Sequence, residues 1–196
     1  MRLSKLYRMA YLVSFALLVA LLAWMVGVYN NLEHLRGVVC NCWGQWRRAT
    51  HYRNECLNDF LAVFSAAMPR EETLLRDLRR MVEDSERSLA LALEPRWGGA
   101  HGMMGGAELI LRRKVAQSVQ LVEDTPDTYE PLQHFCSSMA VSLSRQDQMA
   151  ALFNHAAMEY NAALSSPSAR LLAPVFGFSR ADALELSPRQ QETRNS

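Results

Sequence analysis

Met9 to Val28 reads MAYLVSFALLVALLAWMVGV, an apolar run without a single charged residue. At about 1.5 Å per helical residue it spans roughly the 30 Å of a bilayer core. A cleaved signal peptide has a shorter apolar region and a small-residue cleavage site, whereas this run leads into Trp24-Met25-Val26-Gly27-Val28-Tyr29. An uncleaved transmembrane anchor over residues 9–28 fits better, with residues 1–8 as a short basic N-terminus. Tyr7 and Tyr11 at one end, and Trp24 and Tyr29 at the other, suit the two membrane interfaces.

Orientation follows from flanking cations. Arg2, Lys5 and Arg8 precede the run, and Arg36, Arg47 and Arg48 follow it. The counts tie. The first three crowd the membrane edge with the terminal amine, while Glu33 lies among the later ones, which favours a cytoplasmic N-terminus and an extracytoplasmic body in the cell (inner) membrane. Cys40, Cys42, Cys56 and Cys136 tolerate either compartment, being too few for a disulfide framework.

Beyond the anchor, apolar residues continue in three- and four-residue steps: Leu32, Leu35, Val39, Cys42, Trp46, Ala49, Cys56, Phe60 and Val63. Only Arg53 interrupts this heptad stripe. It marks a helix with one buried seam, over about 29–67, and no Pro or Gly pair separates it from the anchor. An arginine on the seam needs a buried acceptor or a local opening; an interhelical ion pair or a snorkelling side chain is the plainer reading, a functional pocket the other.

Pro69 suits the first turn of a second helix over about 71–93, with Leu74, Leu78, Met81 and Leu89 on one face. The five glycines of PRWGGAHGMMGG predict a loop over 95–106, because each costs a helix backbone entropy. A third helix, about 107–123, carries Leu111, Val115, Val119 and Val122. The fourth, about 128–164, carries Leu132, Phe135, Met139, Met149, Phe153, Ala156 and Tyr160, its stripe weakened by Ser142 and Gln146. A short apolar segment, Leu171 to Phe178, and a polar, disordered tail over 187–196 close the chain.

The expected fold is all-α: an N-terminal transmembrane helix continuing into an up-down bundle of about four helices over 29–186. If the first helix leaves the membrane, the fourth returns to it, bringing Leu171 to Phe178 near the bilayer surface. Sustained period-two alternation and internal repeats are both missing from the sequence.

Chemistry is sparse. A formal net charge of +1 gives no electrostatic footprint for nucleic acid. Cys40 and Cys42, two apart on a helix, point to different faces and lack a second pair at ligand spacing. His101, Met103 and Met104 are soft donors of the kind copper takes. The glycines around them lack the lysine and hydroxyl of a phosphate loop, and no clustered carboxylates or nucleophile motif suggest catalysis. The chain is therefore expected to be no enzyme and to hold no cofactor or metal. Small residues four apart in the anchor, Ala16 and Ala20, then Ala23 and Gly27, allow close helix pairing and hence a homo-oligomer.

The residues just past the anchor resemble the LemA family of bacterial membrane proteins. Tyr29-Asn30-Asn31-Leu32-Glu33-His34-Leu35-Arg36 looks like that family's YNxLxxLR opening, and Trp43 sits in the place of its Ala-Trp-Ser-Gln tryptophan. Phe153-Asn154 and Tyr160-Asn161 mirror its paired Tyr-Asn dipeptides, and Ala173 with Gly177-Phe178 resembles its closing pattern. Its RRxDLIPNL stretch is represented by Arg53 to Phe60, without the proline, so the chain is a divergent member. The resemblance implies a membrane-tethered, non-enzymatic bundle that acts through an unidentified protein partner. Family genes often accompany membrane protease genes, so an accessory protease subunit is one such role. A membrane-tethered ligand or metal sensor is the alternative.

Overall fold

The computed structural model describes residues 2–95, 97, 103–124 and 130–184. They form five α-helices: α1 (Arg2–Ala67), α2 (Glu72–Leu91), α3 (Met103–Glu123), α4 (Glu130–Leu164) and α5 (Pro167–Phe176). A single 3-10 turn, Pro69–Glu71, joins the first two. The described residues contain no strand, only an isolated antiparallel bridge between Trp97 and Ala181.

The apolar run and the first seam are one helix. Nothing in the sequence between Met9 and Ala67 breaks it, and α1 runs uninterrupted for 66 residues, roughly 100 Å. Its most apolar 18-residue window is 0 % buried, and among the described residues this is the one helix long and apolar enough to cross a membrane. Tyr11, Phe15, Leu17, Leu22 and Trp24 stand exposed there, while burial begins at Leu32. The change from exposed to buried apolar surface thus falls just after Val28.

Cross-links join α1 to α2, which run antiparallel, and tie α3 to α2 and α4, and α4 to α1. From α2, the Ala92 and Leu89 carbonyls accept from Trp43 Nε1 at 3.2 Å and Arg47 Nη2 at 2.8 Å. Lys114 of α3 meets Asp77 of α2, and Arg112 meets Gln146 of α4. Trp43 of α1 packs on Phe153 of α4, with ring centroids 5.3 Å apart.

Two apolar clusters are stacked along this body. The one nearer the apolar span joins Leu32, Val39, Trp43 and Trp46 to Phe153, Tyr160, Phe178 and Leu184. The farther one joins Leu57, Phe60 and Phe64 to Leu78, Leu111, Val115 and Met139. Each fully buried large side chain contributes about 1.5–3 kcal/mol of transfer free energy, so these clusters, and not the intrinsic propensities of α3 or α4, hold the helices in place.

Two boundaries differ from expectation. The loop predicted over 95–106 is helical from Met103, so Gly105 and Gly106 lie in α3. They occupy its first turn, where N–H groups have no intrahelical partner, and the buried stripe beyond them sets the helix. The segment Leu171 to Phe178 belongs largely to α5. There Ser166 Oγ accepts from Ala169 N, Pro167 takes the first turn, and Gly177 ends the helix at φ 73°. The expected start of α4 at 128–129, the centre of the Gly-rich stretch and the tail at 187–196 lie outside the described residues.

Candidate functional site

Between the two apolar clusters lies a polar layer. Thr50, Arg53 and Asn54 of α1, Glu108 of α3 and Gln146 of α4 are all buried. Arg53, with no exposed surface, grips Glu108 through both guanidinium nitrogens: Nη1 to Oε1 at 2.7 Å and Nη2 to Oε2 at 3.0 Å. This is the bidentate geometry for which a planar guanidinium is suited. Arg112 adds Nε to Glu108 Oε1 at 3.2 Å and Nη2 to Gln146 Oε1 at 2.8 Å, and it also pairs with Asp147. Gln146 Nε2 then donates to Thr50 Oγ1 at 2.9 Å and Glu108 Oε1 at 3.1 Å. The layer therefore ties α1, α3 and α4 at one level.

Burial alone would raise the Glu108 carboxyl. The charge and hydrogen bonds of Arg53, the Arg112 charge and the Gln146 amide outweigh it and hold the group below the ordinary carboxylate range. Oε1 takes three donors and Oε2 one, which holds the group as a buried anion. On α1 and α2, Asn54 Nδ2 donates to Ser85 Oγ at 3.1 Å and Glu86 Oε1 at 2.6 Å, extending the layer outward.

A cleft of about 880 Å³ opens beside this layer, between α1, α2 and α3. Trp46, Thr50, Ser85 and Glu108 contribute to its lining, with Leu89 and Leu111 on its apolar walls.

A second constellation lies at the end nearer the apolar span. Asn161 brackets Ala181, its Oδ1 accepting from the backbone N–H at 2.9 Å and its Nδ2 donating to the carbonyl at 2.8 Å. Asn154 brackets Leu184 likewise, at 2.7 and 2.9 Å. Tyr160 Oη donates to Ser179 O at 2.9 Å. Two side-chain amides thus imitate a neighbouring strand, and residues 178–184 form a strap along α4. The Arg36 guanidinium lies 5.2 Å from the Trp97 ring centre, and Trp97 meets Tyr160 edge-on at 5.5 Å. Tyr29 contacts Phe176 and Phe178 at 5.1 and 5.7 Å between centroids.

Most of the positions singled out through resemblance to the LemA family lie at that end. Tyr29, Arg36, Asn154, Tyr160, Asn161, Ala173, Gly177 and Phe178 all belong to the strap or its seat. Leu32 and Leu35 pack in the same cluster, and Trp43 stacks on Trp46 at 5.0 Å. Asn30 is exposed, and Arg53 belongs to the separate polar layer.

Sequence reasoning did not find Glu108, Arg112 or Trp97. The available signal was the matched polar breaks in two apolar stripes, Arg53 in α1 and Ser142 with Gln146 in α4. Among the described residues no group of His, Cys, Asp and Glu is placed to hold a metal ion. His101 lies outside those residues. The cysteines are free and half-buried, and burial pushes the Cys40, Cys42 and Cys136 thiols up. No protein family, curated protein or solved structure matches the chain.

Proposed function

We propose that this chain is a divergent LemA-like, single-pass protein of the cell (inner) membrane. In this reading residues 9–28 cross the bilayer, the N-terminus is cytoplasmic, and a four-helix up-down body stands outside as a non-enzymatic scaffold for a protein partner. The observation that carries it is the fully exposed apolar start of a helix whose continuation is the central seam of the body. A soluble protein leaving that much apolar surface in water would aggregate.

The arrangement at the other end of α4 supports the same reading. Leu171, Val175 and Phe176 are exposed on α5, and Phe176 touches Tyr29, one residue past the span. An apolar helix face at that height meets the interfacial region of the same leaflet, giving the body a second contact with the membrane.

The surface offered to a partner is the outer face of α4, where Val141, Leu152 and Met158 are exposed. Affinity capture of the full chain from detergent-solubilised membranes should recover a stoichiometric partner, either another protein or a second copy. Leu152→Lys with Met158→Lys should abolish that recovery without changing the helical circular dichroism. Consistent recovery of a lone monomer would refute the scaffold reading.

A further inference from the structure

One edge of α1 is covered by the rest of the chain: the Ala92 and Leu89 carbonyls accept from Trp43 and Arg47, and Trp97 lies against Arg36. The other edge is open. There Val38 and Tyr52 are 36 and 48 % exposed. They stand two heptads apart, with Gln45 midway and Asn31 one heptad earlier, so all four share one line of the helix. Tyr52 lies beside Arg145 of α4. On α4 itself Val141 and Leu152, three turns apart, are exposed on the side turned away from Asn154 and the strap. The α1–α4 pair thus carries α2, Trp97 and the strap on one side, and no third layer on the other among the described residues.

The continuity of α1 decides what covers that side. The helix has no break between Met9 and Ala67, so the phase of the open line outside fixes its phase within the apolar run. Gly27, eleven residues before Val38, and Ala20, one heptad earlier still, continue the line, and both are exposed. In the anchored reading these two lie in the bilayer. A neighbour that follows the line from Ala20 to Tyr52 is then a helix that crosses the membrane and runs on outside it for several turns. A second α1 has that form. Two copies inserted the same way are parallel and level, which sets equal residues opposite one another. Near the two-fold axis of such a pair a charge would meet its like. The line carries no Asp, Glu, Lys or Arg, and the charged residues of α1 from Glu33 to Asp59 all lie off it. Asn31 and Gln45 each offer a donor and an acceptor, so either amide can pair with its own counterpart.

We propose that the occupant of the open side is a second copy: two chains form a parallel, in-register dimer along Gly27, Asn31, Val38, Gln45 and Tyr52. The dimer rests on the anchored scaffold reading and gives that scaffold its partner.

The test uses the cysteine-free full chain in liposomes with one cysteine at a time: Asn31→Cys, Val38→Cys or Gln45→Cys on the line, Glu33→Cys or His51→Cys off it. Mild oxidation should link copies at 31, 38 and 45 at least about tenfold faster than at 33 and 51, since a disulfide needs its Cβ atoms about 4 Å apart. Adding Val38→Glu with Gln45→Glu sets like charges across the axis and should slow the Asn31→Cys link about tenfold or more, with helical content unchanged. Flotation with the vesicles separates a chain that inserts alone from one that never inserts. Equal linking on and off the line, or no linking by a chain that floats, would overturn the dimer, and capture of a different stoichiometric protein in that case would leave the scaffold reading standing. A chain that fails to float would remove the anchored reading and the dimer with it.

Discussion

Glu108→Ala should destabilise the full chain by about 3–5 kcal/mol, because it leaves the Arg53 guanidinium buried without a counter-charge. Arg53 has no exposed surface and Glu108 very little, so water cannot replace the lost partner without opening the body. Replacing both residues, as Arg53→Met with Glu108→Leu, should return most of that loss, since an apolar pair of similar volume carries no desolvation cost. The comparison is read from denaturant unfolding of the solubilised protein at neutral pH. A Glu108→Ala cost below about 1 kcal/mol would place the pair in water after all.

The same pair sets an acid limit. The folded-state Glu108 carboxyl titrates below its ordinary value, so the folded protein takes up that proton later than the unfolded one. Its contribution is complete above the unfolded carboxyl value of about 4.3 and fades as pH falls through the lower folded value. Glu108→Gln should flatten stability across that window and leave the slope at higher pH unchanged.

The second large effect concerns the strap. Asn154→Ala with Asn161→Ala removes four side-chain-to-backbone hydrogen bonds, at about 0.5–1.5 kcal/mol each, and strands the backbone groups of Ala181 and Leu184. A loss of about 2–4 kcal/mol is expected for the pair, concentrated in residues 178–184. Arg180 is exposed within the strap and offers a tryptic site. Its cleavage should accelerate about 30-fold or more in the double variant. An unchanged rate would mean that Phe178, Ala181 and Leu184 seat the strap without the amides.

How far the sequence discloses this architecture depends on how local each determinant is. The apolar span, the α1 seam and the proline start at Pro69 are read from neighbouring residues, and the helices follow them, whereas the sequence marks the fifth helix only as a short apolar segment. Gly177 is a local signal too, as the left-handed stop of α5. Glu108 is different. Nothing within α3 marks it as the acceptor for Arg53, because that pairing depends on the register of two helices 55 positions apart in sequence. Asn154 and Asn161 stood out only through resemblance, since a side chain that brackets a distant backbone leaves no period or spacing of its own. Trp97, beside the glycines, gave no sign that it would sit between Arg36 and Tyr160.

The polar layer also explains why two apolar stripes break at matching heights. Arg53 and Gln146 interrupt α1 and α4 where Glu108 enters from α3, so the helices have one register in which every charge is paired. A slip by one turn would bury Arg53 against the apolar clusters on either side. A buried pair that breaks even against an apolar pair of similar volume can still select one register. Recovery of stability but loss of a single register in the Arg53→Met with Glu108→Leu variant is the expected sign of that role.

The most direct test of the central claim is a depth profile of spin labels on a cysteine-free full chain in liposomes. Labels replace Val19 in the apolar span, Leu171 on α5 and Arg113 on the outer surface of α3, and relaxation by oxygen is compared with relaxation by a water-soluble nickel chelate. The expected result is a label at position 19 deep in the hydrocarbon, one at 171 at headgroup level, and one at 113 fully in water. A label at position 19 as open to nickel as the label at 113 would contradict the membrane-anchored account.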